Sequence, residues 1–216
     1  MNIEDYGFKN NYIKTENQIP ARILATYKNR YQIVCNNGEG FAQIKRGCYY
    51  DNPNSIYPTT GDFVLIEWND SGDSMIIETL KRESSFSRAA SSSDRKHELH
   101  NQHEQLVAAN FDYVFIMQSL NNNFNLHRIE RYLSLAWESG GVPVIILTKN
   151  DLVDNPQEYI NEVESVAIGV DIYSVSCKTG DGLDSIKKYF KKGNTIVFLG
   201  SSGVGKSTLL NTLYGK

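Results

Sequence analysis

Thr195-Ile-Val-Phe-Leu-Gly200-Ser-Ser-Gly-Val-Gly205-Lys-Ser-Thr-Leu-Leu-Asn211 is the stretch on which the reading of this chain turns. A strand-sized apolar run enters Gly200-Ser-Ser-Gly-Val-Gly-Lys206-Ser207, which fills every fixed position of G-x-x-x-x-G-K-[ST]. Helix-forming Thr208, Leu209, Leu210 and Asn211 follow. Strand, glycine turn and helix are the context that a phosphate-binding loop requires. Its glycines let the backbone curl until successive N–H groups face phosphate oxygens, and the helix N-terminus adds positive potential. The expected phosphate-binding set is Gly200, Ser201, Ser202, Gly203, Val204, Gly205, Lys206, Ser207 and Thr208. Lys206 and Ser207 are the candidate catalytic residues: the ammonium is expected to reach the β- and γ-phosphates, and the hydroxyl to ligate Mg²⁺ carried by the nucleotide.

Upstream of this loop, strand and helix patterns alternate. Residues 113–117 form a buried-type strand, and Leu126, Ile129, Leu133, Ala136 and Trp137 recur at helical spacing over 126–138. Strands are expected at 142–147, 171–175 and 195–199, with helices at 158–166 and 183–190. This alternation predicts a parallel sheet covered by helices. Ligands bind such sheets outside the carboxyl ends of the strands, and two further elements fall there. The first is Thr148-Lys149-Asn150-Asp151, after the second strand. A carboxylate at 151 accepts from the N1–H and N2–H₂ edge of guanine, whereas adenine would leave it unpaired. A site built to pair a polar edge discriminates by about 10⁴–10⁵. The stem of Lys149 is suited to lie along the purine face. The second element is Ser176-Cys177-Lys178, after the third strand, whose backbone N–H groups are placed to donate to guanine O6.

The N-terminal part has another texture. Residues 22–27, 31–34, 41–44, 63–66 and 75–80 read as short strands. Between them lie the turns Asn36-Asn-Gly-Glu-Gly40, Thr60-Gly-Asp62 and Asn69-Asp-Ser-Gly-Asp73. Five such strands predict a small OB-fold-like barrel. Residues 83–104 read as a basic, Ser-rich linker, so the expected division is a barrel over 1–82 and a GTPase domain over 105–216. Net charge of -3 at pH 7 excludes a polybasic chain, leaving RNA contact to a local surface. The candidates there are barrel aromatics, among them Tyr27, Phe41, Tyr49, Tyr57 and Trp68, and the basic residues at 28, 30, 45, 46, 81, 82, 88 and 95. His97, His100 and His103 recur every third residue in polar surroundings and are read as a solvated face, not a zinc site. No secretory signal or bilayer-length apolar run is evident, and three cysteines without a C-x-x-C pair suit a reducing compartment. A cytoplasmic monomer without membrane attachment is expected.

In the usual GTPase the phosphate loop comes first; here Thr148–Asp151 and Ser176–Lys178 precede Gly200–Ser207. In this order the chain resembles the circularly permuted GTPases and, with a barrel in front, the RsgA family of small ribosomal subunit biogenesis GTPases. Thr60-Gly-Asp-Phe-Val64, Lys81-Arg82, Arg88, residues 105–112 and residues 125–133 extend the resemblance. It implies GTP hydrolysis to GDP and phosphate, coupled to binding and release of the 30S subunit late in its maturation, with the barrel on rRNA. Two motif positions depart: Thr148 stands where Asn is common but keeps a hydroxyl for bracing the phosphate loop, and Cys177 stands for Ala. Family members continue past this helix with a switch Thr, D-x-x-G and a Cys/His zinc-binding domain. The α/β domain is therefore expected to be incomplete at its C-terminus, with no zinc ligands in this chain and little hydrolysis by the piece alone. The competing expectation is a non-catalytic RNA- or ribosome-binding module with a vestigial nucleotide site; Asp151 argues against a third, ATP-using reading.

Overall fold

A computed structural model describes residues 2–9, 18–50, 55–88 and 105–215. The chain divides into two compact units, Met1–Phe111 and Asp112–Lys216. His97, His100, His103, Arg95 and most of the expected linker lie outside the described residues.

In the first unit, strands β1 (Ile19–Thr26), β2 (Tyr31–Cys35), β3 (Gly38–Ile44), β4 (Phe63–Glu67) and β5 (Ser74–Thr79) close a barrel in the order β1-β2-β3-β5-β4. Neighbours are antiparallel except β3 and β5, which run parallel. A parallel step needs a crossover, and the short helix α1 (Arg46–Tyr50) lies in it. Inward residues Ala21, Ile23, Ile33, Cys35, Val64, Ile66 and Ile76 are at most 1% exposed, so the barrel is a filled core and not a channel. Tyr49 belongs to that core, its hydroxyl 2.8 Å from the Thr79 hydroxyl.

Two strands without an expectation complete this unit. β6 (Ser85–Arg88) pairs antiparallel with β7 (Gln105–Ala109), so residues 105–109, expected to open the second domain, fall in the first unit. Asp62 and Arg82, both within segments noted above for resemblance, supply the tie. Asp62, fully buried, accepts from Arg82 at 2.6 and 2.8 Å and from the Thr59 N–H at 2.8 Å. Removing one partner of such a buried pair typically costs about 3–5 kcal/mol. Arg82 is therefore a structural cation. Arg30 and Lys45 are likewise paired, with Asp73 and Glu67.

The second unit is a parallel four-stranded sheet in the order β10-β9-β8-β11, with β8 (Tyr113–Ser119), β9 (Val142–Thr148), β10 (Asp171–Val175) and β11 (Ile196–Leu199). β8 and β9 are buried along six of seven positions each, as the two central strands must be. β11 is only half-buried, with one ladder partner among the described residues. Helix α2 (Leu126–Ser139) starts where the Asn125 side chain accepts the Arg128 N–H and stops at Gly140 in the left-handed region. α3 (Pro156–Glu164) has proline at its first turn. The helix expected over 183–190 is shorter: α4 (Leu183–Ile186) tightens into a 3₁₀ turn over Lys187–Tyr189, a common way for a last turn to close. There the Tyr189 hydroxyl donates to Asp171. α5 (Lys206–Leu213) follows the glycine loop. Phe115, Met117, Val144, Ile146 and Val175 on one sheet face pack with Leu183, Ile186, Tyr189, Val204 and Leu209. Among the described residues no helix is long and apolar enough to cross a membrane.

Candidate functional site

The parallel register sets the site. Ser119, Thr148 and Val175 lie in one row across β8, β9 and β10, so the segments leaving all three strands emerge along one edge. β11 ends lower, Leu199 beside Ile116. Gly200 then passes close to β8: a Cβ there would sit 2.7 Å from the Met117 carbonyl oxygen, on a backbone with φ +156°. Only glycine fits both the contact and the conformation. The loop continues over the sheet edge and enters α5 through Gly205, at φ +107°.

Val204 turns its side chain into the core and is 1% exposed, so the loop offers only its backbone at that position. Its carbonyl accepts from the Thr148 hydroxyl at 2.7 Å. The Lys149 ammonium donates to the Gly203 carbonyl at 2.9 Å. Lys149 holds the left-handed region, φ +60°, uncommon for a residue with a side chain and typical of functional turns. The Lys206 ammonium is curled over its own loop, donating to the Gly200 and Ser201 carbonyls at 2.8 and 2.9 Å. Ser207 and Thr208 are exposed in the first turn of α5, where N–H groups and the helix dipole point outward.

The side chain of Asp151 is 14% exposed, and its Oδ1 accepts from the Ser176 hydroxyl at 2.7 Å. The same hydroxyl oxygen accepts from the Lys178 and Thr179 N–H groups at 3.2 Å each, which fixes the turn after β10. Lys178 places its ammonium 3.9 Å from Asp151 Oδ2 and is itself 82% exposed, a pair worth at most about 1 kcal/mol. Cys177 packs against the sheet core, and burial pushes its thiol up, away from the reactive thiolate. Thr148, Lys149, Asn150, Asp151, Ser176, Cys177 and Lys178 are thus brought together with residues 200–208 on one sheet edge.

Three contacts are not marked by any motif. Asn123, in the segment after β8, directs its amide to the Ser201 hydroxyl at 3.4 Å, and the Gln118 amide donates to the Asn123 carbonyl at 2.7 Å. The Asn150 amide donates to the Asp181 carboxylate at 2.6 Å. For the first two, position at the carboxyl end of a parallel strand was the available clue; the third joins residues 31 apart and has no local mark.

A closed barrel followed by a parallel sheet whose phosphate loop comes after residues 148–151 and 176–178 defines the circularly permuted P-loop GTPase class. A family profile described as RsgA GTPase matches residues 80–216. The chain belongs to that family. It is 41% identical over its full length to small ribosomal subunit biogenesis GTPase RsgA 2 of Listeria monocytogenes serotype 4b (strain F2365) and 42% identical to RsgA 1 of Listeria innocua, and spans 59% of each relative. YjeQ from Thermotoga maritima superposes with a TM-score of 0.72 at 25% identity, covering 91% of this chain and 65% of that one. YloQ, described as a circularly permuted GTPase, gives 0.65 at 24% identity, over 91% of this chain and 64% of its own, a likeness of fold.

Proposed function

We propose that this chain is the guanine-nucleotide-binding part of a ribosome-dependent GTPase that acts on the small ribosomal subunit. One observation carries the reading: Thr148 and Lys149 bond directly to the carbonyls of Val204 and Gly203, which ties the carboxylate-bearing turn to the phosphate loop on one sheet edge. A guanine held by Asp151 then has its phosphates directed toward residues 200–208.

The residues fit the substrate. N–H groups of the glycine loop cradle the phosphates, and the Lys206 ammonium exchanges its two loop carbonyls for β,γ-oxygens. The exposed Ser207 hydroxyl is suited to hold Mg²⁺ together with the phosphates; when bound, the ion neutralises charge developing on the β,γ-bridge. Ser176 donates to one Asp151 oxygen, and because each carboxylate oxygen has two lone pairs, both remain acceptors for the N1–H and N2–H₂ edge. Hydrolysis and the ribosomal encounter are proposed for the whole protein, in the cytoplasm. The test is a GDP titration: tight binding by the wild-type chain, reduced at least a hundredfold in Asp151→Ala, with ADP weak for both. Equal affinity for GDP and ADP would refute it.

For the barrel we propose rRNA contact through the turn between β1 and β2. Tyr27 is 56% exposed, its ring 6.4 Å from Phe41, over which the Arg30 guanidinium stacks at 3.8 Å. Base–aromatic stacking contributes about 1–3 kcal/mol per base, so Tyr27→Ala is expected to weaken binding to 30S subunits severalfold or more. Pelleting with subunits measures it.

A further inference from the structure

We propose that Asp181 is a specificity-determining positioning residue, holding the base-reading carboxylate of Asp151 in register through Asn150; this rests on the guanine reading above. A carboxylate only accepts hydrogen bonds, so the 2.6 Å contact to Asp181 Oδ2 requires Asn150, a residue 8% exposed, to present its amide NH₂, which fixes the orientation of that side chain. The other end of Asp181 is equally engaged: its carbonyl accepts the Ser176 N–H at 3.0 Å, and the Ser176 hydroxyl donates to Asp151. Asp181 therefore grips both neighbours of the reading carboxylate, Asn150 by side chain and Ser176 by backbone. The circuit 151–176–181–150 closes on itself.

The turn is built to keep Asp181 there. Gly180 donates its N–H to the Ser176 carbonyl at 2.9 Å. Gly182 holds φ +71° with room for no Cβ, which would fall 2.1 Å from the Ser174 carbonyl oxygen. Asp181 is surface-exposed, so its side chain is removable without opening a core. Its side-chain hydrogen bond, acting through Asn150, is a second anchor for Asp151 beside the direct one from the Ser176 hydroxyl.

The experiment compares GDP with IDP, which lacks the N2 amino group that a correctly placed Asp151 pairs. The wild-type chain is expected to prefer GDP strongly. In Asp181→Ala the GDP affinity falls about tenfold and the GDP:IDP preference shrinks at least threefold, while binding of inorganic pyrophosphate is unchanged. Asp181→Asn, which keeps an acceptor, restores most of the preference. Asn150→Ala behaves like Asp181→Ala, and the double variant loses no more than either single one, as one broken contact requires. Equal weakening of GDP and IDP, additive losses in the double variant, or Asp181→Asn as poor as Asp181→Ala would overturn the role of Asp181 alone. A wild-type chain indifferent to the N2 amino group would overturn the guanine reading as well.

Discussion

Thr148 illustrates how much of this site rests on single hydroxyls. It is 3% exposed, and its hydroxyl donates to the carbonyl of a residue that is itself 1% exposed. Thr148→Val keeps the shape and β-propensity but leaves the Val204 carbonyl oxygen without that bond. A buried polar group so deprived costs about 1–3 kcal/mol. We expect a loss of that size in urea unfolding of residues 112–216, and a several-fold weaker GDP affinity by titration; an unchanged midpoint would deny the brace. The motif residues were legible because glycine, lysine and serine at fixed spacing answer to one chemistry. The bond between Asn150 and Asp181 was not, since a side-chain pair across 31 residues leaves no trace in either neighbourhood.

At the level of elements, periodicity found what is long and what alternates. All five barrel strands and the four sheet strands stand near their expected places. α1, five residues long, is too short to show a helical repeat. β6 and β7 escaped because each is a four- or five-residue segment whose only merit is the other, and pairing across a long interval is not written in either. The barrel carries its own pH dependence. Burial pushes the Tyr49 hydroxyl up to about 12 from an ordinary value near 10. Above pH 10 the unfolded chain gives up this proton while the folded barrel retains it. The stability it contributes is therefore complete below pH 10 and is lost as the pH climbs toward 12. Circular dichroism of the chain through urea, from pH 9 to 12, should show that decline, and a shallower one in Tyr49→Phe.

For the whole molecule, the chain carries two tryptophans, Trp68 in the first unit and Trp137 in the second. In a Trp68→Phe background, Trp137 fluorescence reports residues 112–216 alone. A ligand that binds only the folded form adds RT ln(1 + [L]/Kd), about 2.7 kcal/mol at a hundred times Kd. GDP at that excess should move the Trp137 transition to higher urea, and Asp151→Ala should abolish the shift; a shift equally produced by ADP would count against guanine selectivity. The change of texture along the sequence led to an expected barrel over 1–82 and second domain over 105–216, and it names no contact that ties the residues between them to either. The described boundary at Phe111 follows from the β6–β7 pairing and from Asn110, whose side chain accepts the Glu83 N–H at 2.9 Å.

The aligned tips of β8, β9 and β10 have a consequence in time. A site assembled from strand ends does not care in what sequence its parts are made, yet a ribosome must make them in one. On the proposed reading, residues 148–151 and 176–178 leave the exit tunnel before residues 200–207, and the bonds from Thr148 and Lys149 to the loop carbonyls form only after the loop has emerged. The proposed nucleotide site is therefore completed by its phosphate loop, whereas in an unpermuted order the loop would be made before the other two segments.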